Sequence, residues 1–389
     1  MKKKQLLFVS SYIPEKIYNS TVNDFRDQQA QKFDRLMIKG FLNNGYSVQC
    51  ISYLSEINGL DDYFEINEEN CHFSIINNNS KTNYLSIIKK SYKKTRLLLQ
   101  ENQDSIVLCN ILNISVSLGA VLAAKNCGNR VVGCITDMPI HMFGKFSVYK
   151  MFADFIIYQC TDLIFLTQQM SVKYRKNCKH YSIVEGLSDF SDQKNIVIKN
   201  DSYNPKNIKK RRILMYAGSL HKRYGIEMLV QAFCKISKEN VELHIYGKGD
   251  FEIELQKFLG INKNIRYFGV VPNNKIVLAE KEVDLLINPR TSEGEYTKYS
   301  FPSKIIEYMA SGTPVLMNML PGIPDEYREY CYCFESETIE GYTDTLEHIL
   351  SMDIKSLQIK GKKAQSFVYE KKNYTSQIKK VIHELELEE

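Results

Sequence analysis

With 389 residues, 44% of them hydrophobic and 25% charged, the chain exceeds one ordinary domain and can bury two sizeable cores. Its net charge of +6 is mild for this length, and it carries neither zinc-finger spacing nor an RNA-recognition signature, so a nucleic-acid partner is excluded. The ten cysteines lie mostly in apolar runs such as "SVQCIS" (Cys50), "IVLCN" (Cys109) and "VVGCIT" (Cys134), without metal-ligand spacing, and read as buried reduced thiols of a cytosolic protein rather than a disulfide framework.

The first segment, "MKKKQLLFVSSYIP", imitates a signal peptide, but its apolar core of about five residues is shorter than the roughly 7–15 a secretory segment needs. It reads as a first buried strand, 5–10. A helix near 22–44 follows, then strands at 46–52 and 105–110, a helix near 113–126, a strand at 130–136, a helix near 145–158, a strand at 162–167, a helix near 169–177 and a strand at 181–186. No window reaches the ~18 uninterrupted apolar residues of a membrane span; the nearest, "MFADFIIYQCTDLIFLT", contains Asp154, Gln159 and Asp162. Between about 190 and 211 the composition turns polar, which marks a linker. The alternation then restarts with strands at 212–219, 241–250, 265–271, 283–289 and 313–318, separated by helices near 225–238, 251–259, 273–281 and 302–311. Helical pattern near 340–350, 354–368 and 374–387 ends the chain. Short apolar strands alternating with longer helical patterns predict an α/β protein of two doubly wound, Rossmann-like domains, 1–195 and 205–365, with a terminal helix in 366–389 packing back on the first.

In open parallel sheets the ligand lies beyond the carboxyl ends of the strands. Three stretches of the second half fit that rule. In "YAGSLHKRYG" a strand ends at Gly218 and Ser219, and Lys222 and Arg223 follow in the loop, where they can meet phosphate or stay solvated. In "IYGKGD" the turn Gly247-Lys248-Gly249 is either a phosphate cradle or an ordinary strand-to-helix turn. The third, "YTKYSFPSKIIEYMASGTPVL", has Pro302 suited to a first helical turn, Gly312 just past the end and Pro314 barring continuation. The start of this helix is an anion site, so a diphosphate can rest at Pro302, Ser303 and Lys304, while Glu307, one turn or ~5.4 Å further in, accepts hydrogen bonds from a sugar's hydroxyls. The alternative reading makes Ser303 a simple cap and Glu307 a solvated charge.

These residues resemble the retaining family-4 glycosyltransferases of the two-domain GT-B fold, with domains facing a central cleft, especially the bacterial members that build capsule or O-antigen polysaccharide. The resemblance covers essentially the whole chain and is sharpest from 212 to 324. The family's Gly-rich strand end is matched by Gly218 to Gly225, and its Gly-x-Gly turn by Gly247 to Asp250. The second acid of its paired-glutamate motif is matched by Glu307, which the resemblance assigns to the ribose hydroxyls of a donor nucleotide. The first acid falls eight positions earlier, where this chain has Tyr299, with Glu293 and Glu295 close by. Ser219 stands where the family has an Arg and Tyr224 where it has a Lys, so Lys222, Arg223 or Arg290 supplies the charge for the diphosphate. The resemblance places the base near Phe268 to Pro272, including Val271, and adds Asn288 and Phe301 to the donor side. On the acceptor side it places Asp137 of "GCITDMPIH" near the reacting carbon, with His141 as the neighbouring alternative, and Asn19 and Ser20 in the loop after the first strand. Asp137 as a helix cap or turn residue is the competing reading.

The implied activity is transfer of a sugar from a UDP- or GDP-sugar to a saccharide acceptor with retention of configuration. No metal and no cofactor beyond that co-substrate are expected, since no Asp-x-Asp motif occurs. The stretch "KTNYLSIIKKSYKKTRLLLQ" (81–100) holds six basic residues and no acid. Such a helix suits an anionic membrane surface or is an ordinary exposed helix. Together with the resemblance it implies a cytoplasmic protein held peripherally at the inner face of the plasma membrane, with a lipid-linked acceptor. The competing classes are a catalytically silent nucleotide-sugar binder and a nucleotide-sugar epimerase of the same fold.

Overall fold

The computed structural model describes residues 3–14, 17, 28–55, 63–68, 70–78, 84–189, 211–236 and 240–388. Two units emerge, one of Met1–Leu187 with Tyr374–Glu389 and one of Ser188–Asn373. No helix among the described residues is long and apolar enough to cross a membrane.

The first unit contains β1 (Gln5–Val9), β2 (Ser47–Ser55), β3 (Tyr63–Glu68), β4 (Cys71–Asn78), β5 (Ile106–Asn110), β6 (Val131–Ile135), β7 (Asp162–Phe165) and β8 (His180–Ile183). They form one sheet in the order β3-β4-β2-β1-β5-β6-β7-β8. Every pairing is parallel except β3 with β4. Each residue of β5, β6 and β7 is buried, as strands covered by helices on both faces require, and this is why they read as unbroken apolar runs. The β3–β4 hairpin has no counterpart among the expected elements. Its outer strand alternates half-buried Phe64 and Ile66 with exposed Glu65 and Asn67, a polar pattern suited to a sheet edge.

The Tyr374–Glu384 helix buries Ile378, Val381 and Ile382 in the same core as Leu36, Met37 and Phe41 of the Gln28–Asn43 helix. Hydrogen bonds fix it there: Asn44 Nδ2 donates to Thr375 O at 3.0 Å, Tyr46 Oη to Leu387 O at 3.0 Å and Lys380 Nζ to Ile183 O at 2.9 Å. The division falls at Tyr374 rather than at 366. The Ile354–Lys371 helix is unbroken, and its Leu357, Ala364, Phe367 and Val368 are buried in the second unit. The expected linker, 190–211, lies outside the described residues except for Arg211.

Asp34 sits at the point where the strand order of this sheet reverses, beside the carboxyl ends of β1 and β5, and is only 2% exposed. Asn110 Nδ2 donates to its Oδ1 at 3.3 Å, and Ser10 is its second side-chain partner. Burial outweighs both bonds and pushes its carboxyl up to about 7.

The second unit contains β9 (Arg212–Ala217), β10 (Val241–Tyr246), β11 (Ile265–Tyr267), β12 (Leu285–Asn288), β13 (Val315–Met317) and β14 (Tyr332–Cys333). Their order is β11-β10-β9-β12-β13-β14, and all pairings are parallel. The order reverses between β9 and β12, which places a ligand crevice at the carboxyl ends of these two strands. The strand expected over 265–271 stops at Tyr267, since Gly269 turns the backbone to φ +67°.

Two measurements test this architecture. Ile378→Ala lowers the stability of the first unit by about 2–5 kcal/mol and Ile378→Val by about 0.5–1.5 kcal/mol, read from urea midpoints; unshifted midpoints detach the last helix from that core. Because the folded-state carboxyl of Asp34 lies above its unfolded value of 3.8, its stabilising contribution is complete at low pH and declines as pH rises toward about 7. The stability of Asp34→Asn relative to the parent therefore improves by about 3–4 kcal/mol between pH ~4 and ~7, whereas parallel pH profiles contradict the burial of this carboxyl.

Candidate functional site

The crevice between β9 and β12 is surrounded by the loops that leave β9, β10, β11 and β12 and by the Lys304–Ser311 helix. The loops interlock through their main chains: Gly218 N donates to Tyr246 O at 3.1 Å, Leu220 N to Lys248 O at 2.9 Å and Gly247 N to Gly269 O at 2.8 Å. At Gly247 the backbone has φ +123°, and a Cβ there would lie 1.8 Å from the Gly218 carbonyl oxygen. At Gly249 a Cβ would lie 2.4 Å from Leu220. Both glycines of the Gly-x-Gly turn are thus required for one loop to pack on the next, a role the motif alone did not reveal.

The helix starts at Lys304, two residues later than expected, with Ser303 already in helical backbone and making no side-chain cap bond. Ser303 thus occupies the N-cap position without bonding the helix start through its side chain. Gly312 ends the helix in left-handed backbone, its N–H donating to Met309 O. Phe301, Pro302, Ile305, Ile306, Tyr308 and Met309 are buried, and Ser303 is exposed. Tyr308 Oη accepts from Ala217 N at 2.9 Å and donates to Ala217 O at 3.1 Å. This pair of bonds joins the helix directly to the end of β9, one residue before Gly218. Burial raises the phenol of Tyr308 well above its usual range, so it is neutral and keeps the proton it donates.

Glu307 does not point freely to solvent. Lys304 Nζ lies 2.6 Å from Glu307 Oε1 and 3.4 Å from Glu280 Oε1, and Glu280, on the Asn273–Glu282 helix, is fully buried. Burial alone would pull the Lys304 ammonium down, but the adjoining carboxylates of Glu307 and Glu280 prevail and raise it. Glu280 was not among the expected residues; its place in "IVLAEKE" gives no hint that a carboxylate faces inward.

The other cations are arranged differently from expectation. Lys222 Nζ is 2.5 Å from Glu254 and 3.6 Å from Glu227, and the hydrogen bond to Glu254 raises its ammonium above the usual range. Its charge is therefore already matched. Lys222 N donates to Asp250 Oδ1 at 2.9 Å and His221 Nδ1 approaches Asp250 Oδ2 at 3.1 Å, and these bonds hold the Asp250 carboxyl below the usual range. Arg223 Nη2 donates to Tyr224 Oη at 3.1 Å. Arg290 lies with its guanidinium carbon 5.0 Å from the ring centre of Tyr224 and 5.4 Å from that of Tyr296, and its Nη2 donates to Ser300 Oγ at 3.3 Å. Its Nε is buried with no hydrogen-bond partner among the described residues.

The loop after β12 is tied down by residues that the sequence did not single out. Asn318 Nδ2 donates to Pro289 O at 3.3 Å and to Arg290 O at 3.2 Å, and Tyr342 Oη donates to Pro289 O at 2.7 Å. Asn288 Oδ1 accepts from Arg290 N at 3.3 Å. Farther along, Tyr299 is half-buried at the end of a short 3-10 turn, Glu295–Tyr299, while Glu293 and Glu295 are exposed. On the β11 side, Phe268 stacks on Tyr246 with ring centres 4.6 Å apart, and Val271 is half-buried. A cavity of about 1120 Å³ lined by Gly312, Thr313, Pro314, Lys355 and Lys362 lies at the opposite, amino ends of β12 and β13 and shares none of these groups.

In the first unit Asp137 is exposed in the turn after β6, and the N-cap of the following Pro139–Phe143 helix is Met138 rather than Asp137. His141 is exposed on that helix. Asn19 and Ser20 lie outside the described residues.

The family described as "Glycosyl transferases group 1" matches residues 211–352, which span β9 to the helix Ile339–Ser351. A search of curated protein sequences gave no match. Among solved structures, sucrose-phosphate synthase from Thermosynechococcus elongatus is similar with a TM-score of 0.68 at 12% identity, with 100% of each chain covered. Anabaena HepE in complex with UDP-glucose has a TM-score of 0.61 at 12% identity, with 98% of this chain and 99% of that one covered. The lipopolysaccharide outer core galactosyltransferase WaaB has 0.62 at 14%, with 97% and 99% covered. The chain therefore has the two-domain α/β GT-B fold, and residues 211–352 are similar to the group 1 glycosyl transferases.

Proposed function

We propose that the protein is a retaining glycosyltransferase of family 4 that moves a sugar from a UDP- or GDP-sugar to a lipid-linked saccharide acceptor in bacterial capsule or O-antigen synthesis. The observation that carries this reading is the start of the Lys304–Ser311 helix, joined to the end of β9 through Tyr308 and bearing Glu307 and Lys304. The main-chain N–H groups and dipole of a helix start favour a diphosphate, and Glu307, one turn inside, suits the ribose hydroxyls. The likeness to HepE, which binds UDP-glucose, and to WaaB, a lipopolysaccharide galactosyltransferase, supports the donor and the pathway class.

In this mechanism Lys304 turns from Glu307 toward the phosphates as the donor enters, which releases Glu307 to accept from the ribose. Arg290, oriented by Tyr224, Tyr296 and Ser300, meets the leaving diphosphate, and charge stabilisation on that group lowers the barrier to breaking the glycosidic bond without a bound metal. Phe268 and Val271 flank the base. The acceptor hydroxyl attacks from the face that the diphosphate leaves, near Asp137, with His141 as the alternative, and Asn19 and Ser20 contact the acceptor. The protein works at the cytoplasmic face of the membrane, held peripherally on its anionic lipids.

A second reading, a nucleotide-sugar binder without turnover, is favoured by Tyr299 standing where the donor sugar's acid is expected. Affinity for a nucleotide sugar with no product on membrane extracts would select it.

Glu307→Gln raises the Kd for the nucleotide diphosphate by roughly 10- to 100-fold, the worth of a hydrogen bond to a charged group, and lowers turnover in parallel. Isothermal titration and a radiolabelled-sugar transfer assay read both, and unchanged values sink the assignment of Glu307. Arg290→Lys, which keeps the charge but loses the planar group held between two rings, reduces kcat more than donor affinity.

A further inference from the structure

The Val148–Gln159 helix of the first unit buries Ala153, Ile156 and Ile157 on one side, and its opposite side carries Val148, Met151, Phe152, Phe155 and Tyr158, all exposed. Their spacing makes one continuous stripe, where a helix facing water carries charged or polar residues. The preceding turn adds Phe146, which is 92% exposed. Across the fold, the Tyr84 ring lies 5.8 Å from that of Tyr149, so the exposed first turn of the Tyr84–Glu101 helix, with Leu85, continues the same surface. A single apolar face thus spans two helices distant in sequence. Monomeric proteins rarely leave such a face open to water.

Charge identifies what covers it. The acid within the helix, Asp154, is neutralised by Lys150 at 2.5 Å and accepts from Tyr174 Oη at 3.1 Å. Lys145 sits 5.5 Å from the ring centre of Phe146. Along the outer side of the Tyr84–Glu101 helix run Lys89, Lys93 and Arg96, all exposed, and that helix has no acid before Glu101. Aromatic and aliphatic side chains flanked by cations match the boundary between acyl chains and anionic headgroups. A second copy of the chain fits less well, because a two-fold contact would bring the same row of cations to its own rim.

We propose that this face docks on an anionic lipid bilayer, with the Val148–Gln159 stripe and Phe146 entering the acyl boundary and Lys89, Lys93 and Arg96 lying over the headgroups. The proposal gives the peripheral attachment stated above its contact surface; it rests on that reading for its purpose but not for its geometry.

The chain has no tryptophan, so Phe155→Trp introduces a single reporter. Its emission moves to the blue on addition of phosphatidylcholine vesicles containing phosphatidylglycerol, is quenched by brominated acyl chains, and responds far less to phosphatidylcholine alone or at ~1 M salt. The triple variant Phe146→Ser, Met151→Ser, Phe155→Ser lowers the vesicle-bound fraction roughly tenfold or more while leaving the thermal midpoint in place. No spectral change with anionic vesicles overturns the proposal. So does a blue shift that grows with protein concentration in the absence of lipid, which assigns the face to a second copy. Thermal stabilisation by UDP or GDP, measured on the same samples, separates the two readings: vesicle binding without nucleotide stabilisation removes the transferase reading and leaves the docking face standing.

Discussion

The two hydrogen bonds between the Tyr308 hydroxyl and the main chain of Ala217 set the geometry on which the second unit's site depends. A buried hydroxyl left unpaired is costly, and here the N–H and C=O of the last β9 residue would be stranded with it. The helix therefore cannot slip by a turn relative to the strand without breaking both bonds at once. Held in this way, the first turn of the helix stays beside the Gly218 loop, whose own position is fixed by the close approach of Gly247. Loop, strand end and helix start form one rigid corner before any ligand arrives, which is the preorganisation that an anion site needs.

One ammonium, Lys304, serves two carboxylates, Glu280 and Glu307, and the deeper of the two is wholly enclosed. Removing the ammonium would take a cation from two acids in a poorly solvated place, so both carboxylates hold Lys304 in the corner. Lys304 Nζ lies nearer Glu307, at 2.6 Å, than Glu280, at 3.4 Å, and Glu280 is the more enclosed of the two acids. Lys222 cannot take over this duty, because Glu254 and Glu227 already match its charge. Arg290 differs from both: the rings of Tyr224 and Tyr296 orient it without neutralising its charge.

What could be read from the sequence follows from how each element is covered. Strands buried on both faces, such as β5, β6, β7 and β12, announce themselves as unbroken apolar runs, and the order of strands and helices in the second unit was legible as far as β13, whereas the two-residue β14 and the short Tyr327–Tyr330 helix before it were not. The β3–β4 hairpin was not: its outer strand β3, at the sheet edge, alternates polar and apolar residues over too few positions to be separated from a loop. Within the site, Glu307 and Lys304 were visible because helix-start chemistry is local. Tyr308, Glu280, Asn318 and Tyr342 were not visible, since each matters through a partner far along the chain. Asp34 is intermediate: an acid on the buried stripe formed with Met37, Ile38 and Phe41 is a readable anomaly, but its partners Ser10 and Asn110 are supplied only by the sheet order.

The Val148–Gln159 helix shows the same limit from the opposite side. A segment apolar on all sides reads as buried, and hydropathy alone cannot distinguish a helix enclosed by protein from one that meets lipid. The basic residues that bear on the matter lie on the Tyr84–Glu101 helix, some sixty positions earlier, and the edge-on approach of Tyr84 to Tyr149 shows that the fold brings the two together. Burial of Ala153, Ile156 and Ile157 fastens the helix to the fold, whereas the outer stripe carries a solvation cost. Large aromatic side chains where small polar ones would fold as well fit a contact surface, and the surrounding cations fit the anionic bilayer proposed for its far side.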